Sequence, residues 1–132
     1  MATRAGISLR VTGEGLIPSE VSARVGLSPD RSFARGDQFD SRQGARRRSS
    51  AVWAIDSRDH VSSADIAQHA KWILQVLQPA RSGIEEIKED PSFRVSLGVW
   101  WEPESGQGGF TLKASTVSAL CDFCNEVDFY FA

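Results

Sequence analysis

The sequence predicts an α+β fold, a ferredoxin-like α/β sandwich with one mixed or antiparallel sheet and helices on one face. Three observations carry that expectation. "ISLRVTGE" and "FRVSLGVWWEP" alternate apolar and polar residues strictly, "SSADIAQHAKWILQVLQP" repeats apolar residues at helical spacing, and helical segments return between strand segments. A chain of 132 residues buries roughly two-thirds of its unfolded surface, enough for one core, so residues 1–132 are expected as a single globular domain.

In "ISLRVTGE", Ile7, Leu9 and Val11 alternate with Ser8, Arg10 and Thr12, so the first strand has one buried and one wet face. "IPSEVSARVGL" reads as a short helix: Pro18 suits the first helical position, Val21 and Val25 lie one turn apart, and Gly26 takes the left-handed conformation that ends a helix. From Ser28 to Ser50 glycine, serine, aspartate and arginine dominate without a period, which predicts a long arginine-rich loop at about 28–50. "AVWAID" supplies a short strand through Val52, Trp53 and Ile55.

Capping serines and Asp65 open the longest helix, whose buried stripe is Ile66, Ala70, Ile73, Leu74 and Leu77. Pro79 stops or bends it, and "ARSGIEEIKED" continues as a more acidic helical segment with Ile84 and Ile87 inward. In "FRVSLGVWWEP" the period sends Phe93, Val95, Leu97, Val99 and Trp101 to one side, and Arg94, Ser96, Gly98, Trp100 and Glu102 to the other. "ESGQGG" then reads as a hairpin connection and "FTLKA" as the returning strand, with Phe110 and Leu112 inward. "STVSALCDFCNEV" reads as a helix capped by Ser115 or Thr116, and "DFYFA" as the closing strand.

Apolar residues make up 41% and charged residues 24%, ordinary for a globular protein. The apolar runs fall short of a membrane span and Met1 to Gly6 is too short for a signal peptide, so the cytoplasm is the expected location, without membrane association. The net charge of -2 argues against a general nucleic-acid binder, although the chain is net positive up to Arg58 and acidic from Asp59 onward.

Six arginines lie between Arg31 and Arg48 against Asp37 and Asp40. Guanidinium forks match phosphate oxygens, but only Phe33 and Phe39 stand nearby to stack on bases, so a solvated or partner-binding loop is favoured over a nucleic-acid site. Cys121 and Cys124, with Val117 and Leu120, form an apolar helical stripe. They are expected in the core rather than as a redox pair or a zinc site, because Cys121 is far from a helix start and His60 and His69 are poorly spaced as ligands. Glu85, Glu86, Glu89 and Asp90 read as a surface helix end, and "GEG" and "GQGG" as turns. No cofactor, metal site or catalytic residue is expected. Strand phase places Ser8, Arg10, Thr12, Arg94, Ser96, Trp100, Lys113 and Tyr130 on the side opposite the core, where arginine and aromatic side chains together suit an interface.

"ISLRVTGEGLIPSEVSARVGLSPDRSFARGD", "VWAIDS", "ILQVLQP", "FRVSLGVWW" and "DFYF" together resemble the bacterial family catalogued as domain of unknown function 4279, over roughly Ile7 to Phe131. The chain departs from that pattern at Ile17, where the family usually offers a polar cap before the proline. The resemblance implies a stand-alone domain with no assigned activity, and small domains of this kind include immunity proteins that neutralise a toxin. The expected function is therefore a small non-enzymatic binding module, of immunity or regulatory type, monomeric or homodimeric, acting on a protein partner such as a toxin with an acidic surface. Arg10, Arg42, Arg46, Arg47, Arg48, Arg94, Trp100 and Tyr130 are its expected contacts. A nucleic-acid-associated protein using the same arginines is the alternative.

Overall fold

The computed structural model describes residues 4–103 and 108–131. In chain order the first elements are β1 (Arg4–Gly13), α1 (Pro18–Val25), β2 (Arg31–Phe33), β3 (Gln38–Ser41), β4 (Gly44–Arg47) and β5 (Ala51–Asp56). They are followed by α2 (Ile66–Leu77), α3 (Arg81–Glu89), β6 (Phe93–Glu102), α4 (Ala114–Cys121) and β7 (Glu126–Phe131). Short 3-10 turns at Ser57–Asp59 and Gln78–Ala80 lie after β5 and between α2 and α3.

Five strands form one mixed sheet in the order β2-β5-β1-β6-β7, and β3 and β4 form a separate hairpin. The central β1 is antiparallel to both neighbours, while β6 and β7 are parallel, joined by a crossover through α4 as parallel neighbours require. The ferredoxin-like refinement is not confirmed. That arrangement runs β-α-β-β-α-β, whereas here β2 and a separate hairpin stand between α1 and β5.

The expected alternation decides the layers. Ile7, Leu9 and Val11 align with Ile55 and Trp53 on one side and with Val99, Leu97 and Val95 on the other. All are buried, together with Val21 and Val25 of α1, Ile66, Ala70, Ile73 and Leu77 of α2, and Ile84 and Ile87 of α3. Trp53 is fully buried and still satisfied, because its indole N–H donates to Ser22 Oγ at 2.9 Å. Asp65 caps α2 by accepting from the Ala67 amide, and Pro79 sits in the 3-10 turn that redirects the chain into α3.

One polar chain crosses this core. The Ile7 amide donates to Ser57 Oγ at 2.8 Å, Ser57 Oγ lies 2.7 Å from His69 Nδ1, and His69 Nε2 lies 2.6 Å from the Ser63 carbonyl. A carbonyl only accepts, so Nε2 carries the ring hydrogen and Nδ1 is left to accept the Ser57 hydroxyl. With Ser57 and His69 both at 0% exposure, the pair ties α2 to the start of β1 and meets no solvent.

Three expectations are corrected. The 28–50 segment is not an irregular loop: β2 adds to β5, and β3 pairs with β4 with Gln38 opposite Arg47 and Ser41 opposite Gly44. β4 is exposed throughout and β3 half-buries only Phe39 and Ser41, so the hairpin leaves no hydrophobic period in the sequence. "FTLKA" forms no strand, because β7 occupies the place beside β6 that a returning strand needs. Finally, α4 starts at Ala114, with Lys113 at its N-cap and no side-chain cap, so Ser115 and Thr116 lie inside it. Of the expected hairpin connection, residues 104–107 lie outside the described residues.

Candidate functional site: the open sheet face and the arginine hairpin

The face of the sheet turned away from the helices is laid out by the register. Thr12 lies opposite Val52 and Arg94, Arg10 opposite Ala54 and Ser96, Ser8 opposite Asp56 and Gly98, and Gly6 opposite Trp100, which aligns in turn with Tyr130. Four of the expected contacts, Arg10, Arg94, Trp100 and Tyr130, therefore share this face. Lys113 does not, because it precedes α4 and lies in no strand. Arg94 is not a free cation either, since its Nη1 donates to Glu126 at 2.7 Å.

Trp100 is the middle layer of a stack. Tyr130 lies parallel to it, with ring centroids 4.0 Å apart and planes 12° from parallel, and the Arg58 guanidinium carbon stands 4.7 Å from its centroid. Glycine makes the stack possible: a Cβ on Gly6 would collide with the Arg58 side chain, and one on Gly98 would come within 3.4 Å of the Tyr130 ring and 3.0 Å of Ser8 Oγ. The Trp100 indole nitrogen is buried without a hydrogen-bond partner. At this end of the sheet Arg4, Arg58, Trp100, Trp101, Tyr130 and Phe131 border a concavity of about 320 Å³, at the small end of ligand-pocket size. Trp101, expected in the core, faces the helix side as its phase requires, but it is only partly buried, packed against Phe110 with centroids 5.7 Å apart.

Arg58, which nothing in the sequence singled out, is aimed by a buried carboxylate. Asp56 is 2% exposed and accepts from the Arg58 backbone N–H at 2.9 Å and from its Nε and Nη2 at 3.1 and 2.7 Å, while Arg31 Nε stands 3.5 Å away. Burial by itself would raise the Asp56 pKa. The hydrogen bonds and charge of Arg58, with the charge of Arg31, more than offset it and hold the carboxyl below its usual range. The same hydrogen bond, donated to Asp56, raises the Arg58 pKa against its own burial. Asp30, the last residue of "GLSPD", completes the corner: one oxygen accepts the Asp56 amide at 2.8 Å and the other lies 2.6 Å from His60 Nε2, whose ring stacks on Trp72.

The arginine hairpin is held by one of its own arginines. Arg48 is clamped between Phe33 of β2 and Phe39 of β3, its guanidinium carbon 3.8 and 3.9 Å from the two ring centroids. Its backbone pairs with Gly36 and Asp37 at 2.8 and 2.7 Å, and Arg47 donates to the Gly36 carbonyl at 3.0 Å. Arg48 is thus a fastener within the fold. Arg35, Arg42, Arg46 and Arg47 remain exposed, and among the described residues none of them is ion-paired.

The family model described as Domain of unknown function (DUF4279) matches residues 2–130, nearly the whole chain. The chain belongs to this family. Comparison with curated proteins and with solved structures returned no match.

In this DUF4279 member the cysteines part company. Cys124 is buried at 6% exposure, and burial first, with the neighbouring Cys121 second, pushes its thiol up to about 11, so it stays protonated at neutral pH. Cys121 is exposed, which corrects the expectation that both are core. The reason is that α4 ends at Cys121 and the chain then turns, bringing Phe123 and Cys124 inward in place of a continuous stripe. Among the described residues no group of three His, Cys, Asp or Glu is arranged to hold a metal ion. Glu86 reaches Arg24 at 3.8 Å and Asp90 caps a turn by accepting from the Ser92 amide. No helix among the described residues is long and apolar enough to cross a membrane.

Proposed function

We propose that this DUF4279 chain is a small non-enzymatic binding module that sets its arginine hairpin, with the adjoining open sheet face, against an acidic protein surface in a regulatory or immunity-type role. The observation that carries the reading is the hairpin's construction. Arg48 fastens it to β2 and Arg47 is exposed while donating to the Gly36 carbonyl, whereas Arg35, Arg42 and Arg46 are exposed and make no ion pair among the described residues. Cations presented on the strands and tight turns of an ordered hairpin lose less freedom on binding than cations on an irregular loop, and they steer an acidic partner into encounter.

Two other readings are weaker for specific reasons. Single-stranded nucleic acid needs free aromatic faces beside the cations, and here the two nearby rings, Phe33 and Phe39, each give one face to Arg48 and are half-buried. The serine–histidine pair of an acyl-transfer site is present as Ser57 and His69, but it is buried and serves the core.

The test is to identify a partner by cross-linking in the native cell, then titrate the purified pair with wild type and with the triple variant Arg42→Glu, Arg46→Glu, Arg47→Glu. The expected result is a protein with an acidic contact surface whose affinity falls by about tenfold or more in the variant, mostly through slower association. An unchanged affinity in the variant, or salt-sensitive binding of DNA or RNA by the wild type, overturns the proposal.

A further inference from the structure

We propose that the chain forms a two-fold dimer by antiparallel pairing of β7 with β7 of a second copy, extending the sheet across its aromatic edge. This inference is independent of the arginine hairpin, which lies at the opposite end of the sheet.

β7 is the last strand, and nothing among the described residues pairs with its outer edge. Such an edge presents a row of unmet N–H and C=O groups, and proteins blunt it with lysine, proline, a bulge or brevity. β7 uses none of these: "EVDFYF" runs six residues with no proline and no basic residue. Its charges are Glu126, already neutralised by Arg94 at 2.7 Å, and Asp128. The side chains are the reverse of protective. Phe129 is 56% exposed, Phe131 66% and Tyr130 37%, and Val117 of α4, also in the C-terminal part of the fold, is 43% exposed. At the 150–250 Å² that an aromatic side chain offers, the three aromatic residues alone leave roughly 300 Å² uncovered, over a third of the ~800 Å² that each partner of a stable interface contributes.

The occupant is chosen by register. An antiparallel pair centred on Phe129 sets Phe129 against Phe129 of the second copy, Val127 against its Phe131 and Asp128 against its Tyr130. Every directly opposed pair is then aromatic–aromatic, aromatic–β-branched or carboxylate–phenol, the first two being the pairs that stabilise sheets. Centring the axis on Asp128 instead would set carboxylate against carboxylate, and an acidic strand from another protein would meet the same repulsion. A two-fold axis is also the commonest symmetry of soluble oligomers, and it makes both copies satisfy each other's edge at once.

Sedimentation velocity on the full chain, from low to high micromolar concentration, reads the assembly directly. The expected result is a concentration-dependent dimer, with the dimer constant of Phe129→Lys weakened by about tenfold or more while its circular dichroism stays native. The register is read separately by oxidising Phe129→Cys in a Cys121→Ser background, where the position on the axis cross-links to itself, and Val127→Cys, which pairs with position 131, does not. A monomer throughout the range overturns the proposal, and so does a folded Phe129→Lys that dimerises as before. If Phe129→Lys fails to fold, the cross-links decide, and self-linking at position 127 in preference to 129 overturns it equally.

Discussion

At one edge of the sheet β2 is three residues long, carries Arg31 and is continued by a hairpin clamped through Arg48; at the other β7 is six residues long, with Phe129 and Phe131 more than half exposed. The chain's charge asymmetry reappears in space. The basic stretch before Arg58 builds the β2 edge, and the acidic stretch after Asp59 supplies Glu126 and Asp128 on the β7 edge. A short, charged, hairpin-flanked edge resists strand pairing and meets partners through side chains, whereas a long aromatic edge invites pairing through its backbone. One sheet thus ends in two edges of opposite construction, one short and basic and the other long and aromatic.

The comparison breaks most severely where the β7 end is anchored. Phe123 is 1% exposed and closes the core under that edge, so Phe123→Ala should cost about 3–5 kcal/mol in urea unfolding, while the half-exposed Phe129→Ala should cost far less. The corner beneath the β2 edge comes next. Asp56→Asn should cost about 2–3 kcal/mol at pH 7, less than the loss of a fully buried pair because the Arg58 side chain is 41% exposed. The folded carboxyl sits below its unfolded value of 3.8, so its contribution is complete above that pH and is lost as pH falls through the folded value. Chemical unfolding at stepped pH should therefore show a flatter acid limb for the variant than for the wild type.

A smaller effect sharpens the contrast inside the hairpin. Arg48→Ala should cost about 1–2 kcal/mol, two cation–aromatic contacts at partly exposed sites, and hydrogen exchange should quicken across residues 36–47 while β1 is unaffected. Smallest of all, Arg42, Arg46 and Arg47 changed together to alanine should shift stability by no more than about 0.5 kcal/mol, since they are exposed and outside the packed core. A loss like that of Arg48→Ala in a urea titration would mean that they fasten the hairpin well beyond the one exposed bond from Arg47 to the Gly36 carbonyl.

Much of this was legible in advance, and the misses have causes. Trp100 and Trp101 fall on opposite faces as the alternation of "FRVSLGVWW" requires, but Trp100 is not simply wet, because Arg58 arrives over Gly6 from β5's far end to cover it. No spacing announces that meeting, since the residues lie on three segments far apart in sequence. Arg48 stood among four arginines that look alike in sequence, and only Phe33 and Phe39 closing on it set it apart. His69 offered a helix position and a polar ring; the Ser57 hydroxyl that explains it comes from the turn after β5.

By itself the sequence determined which side of each long strand and helix is apolar, where α1 and α2 begin and stop, and that the charge divides near Arg58, because periodicity, caps and composition are properties of neighbouring residues. Only the tertiary structure decided that β7 and not "FTLKA" lies beside β6, that the 28–50 segment folds into strands, and that Arg48 and Arg58 are held against aromatic rings. Those outcomes depend on which distant segments can bury area and satisfy hydrogen bonds together, as when the Ile7 amide meets Ser57 Oγ across fifty residues.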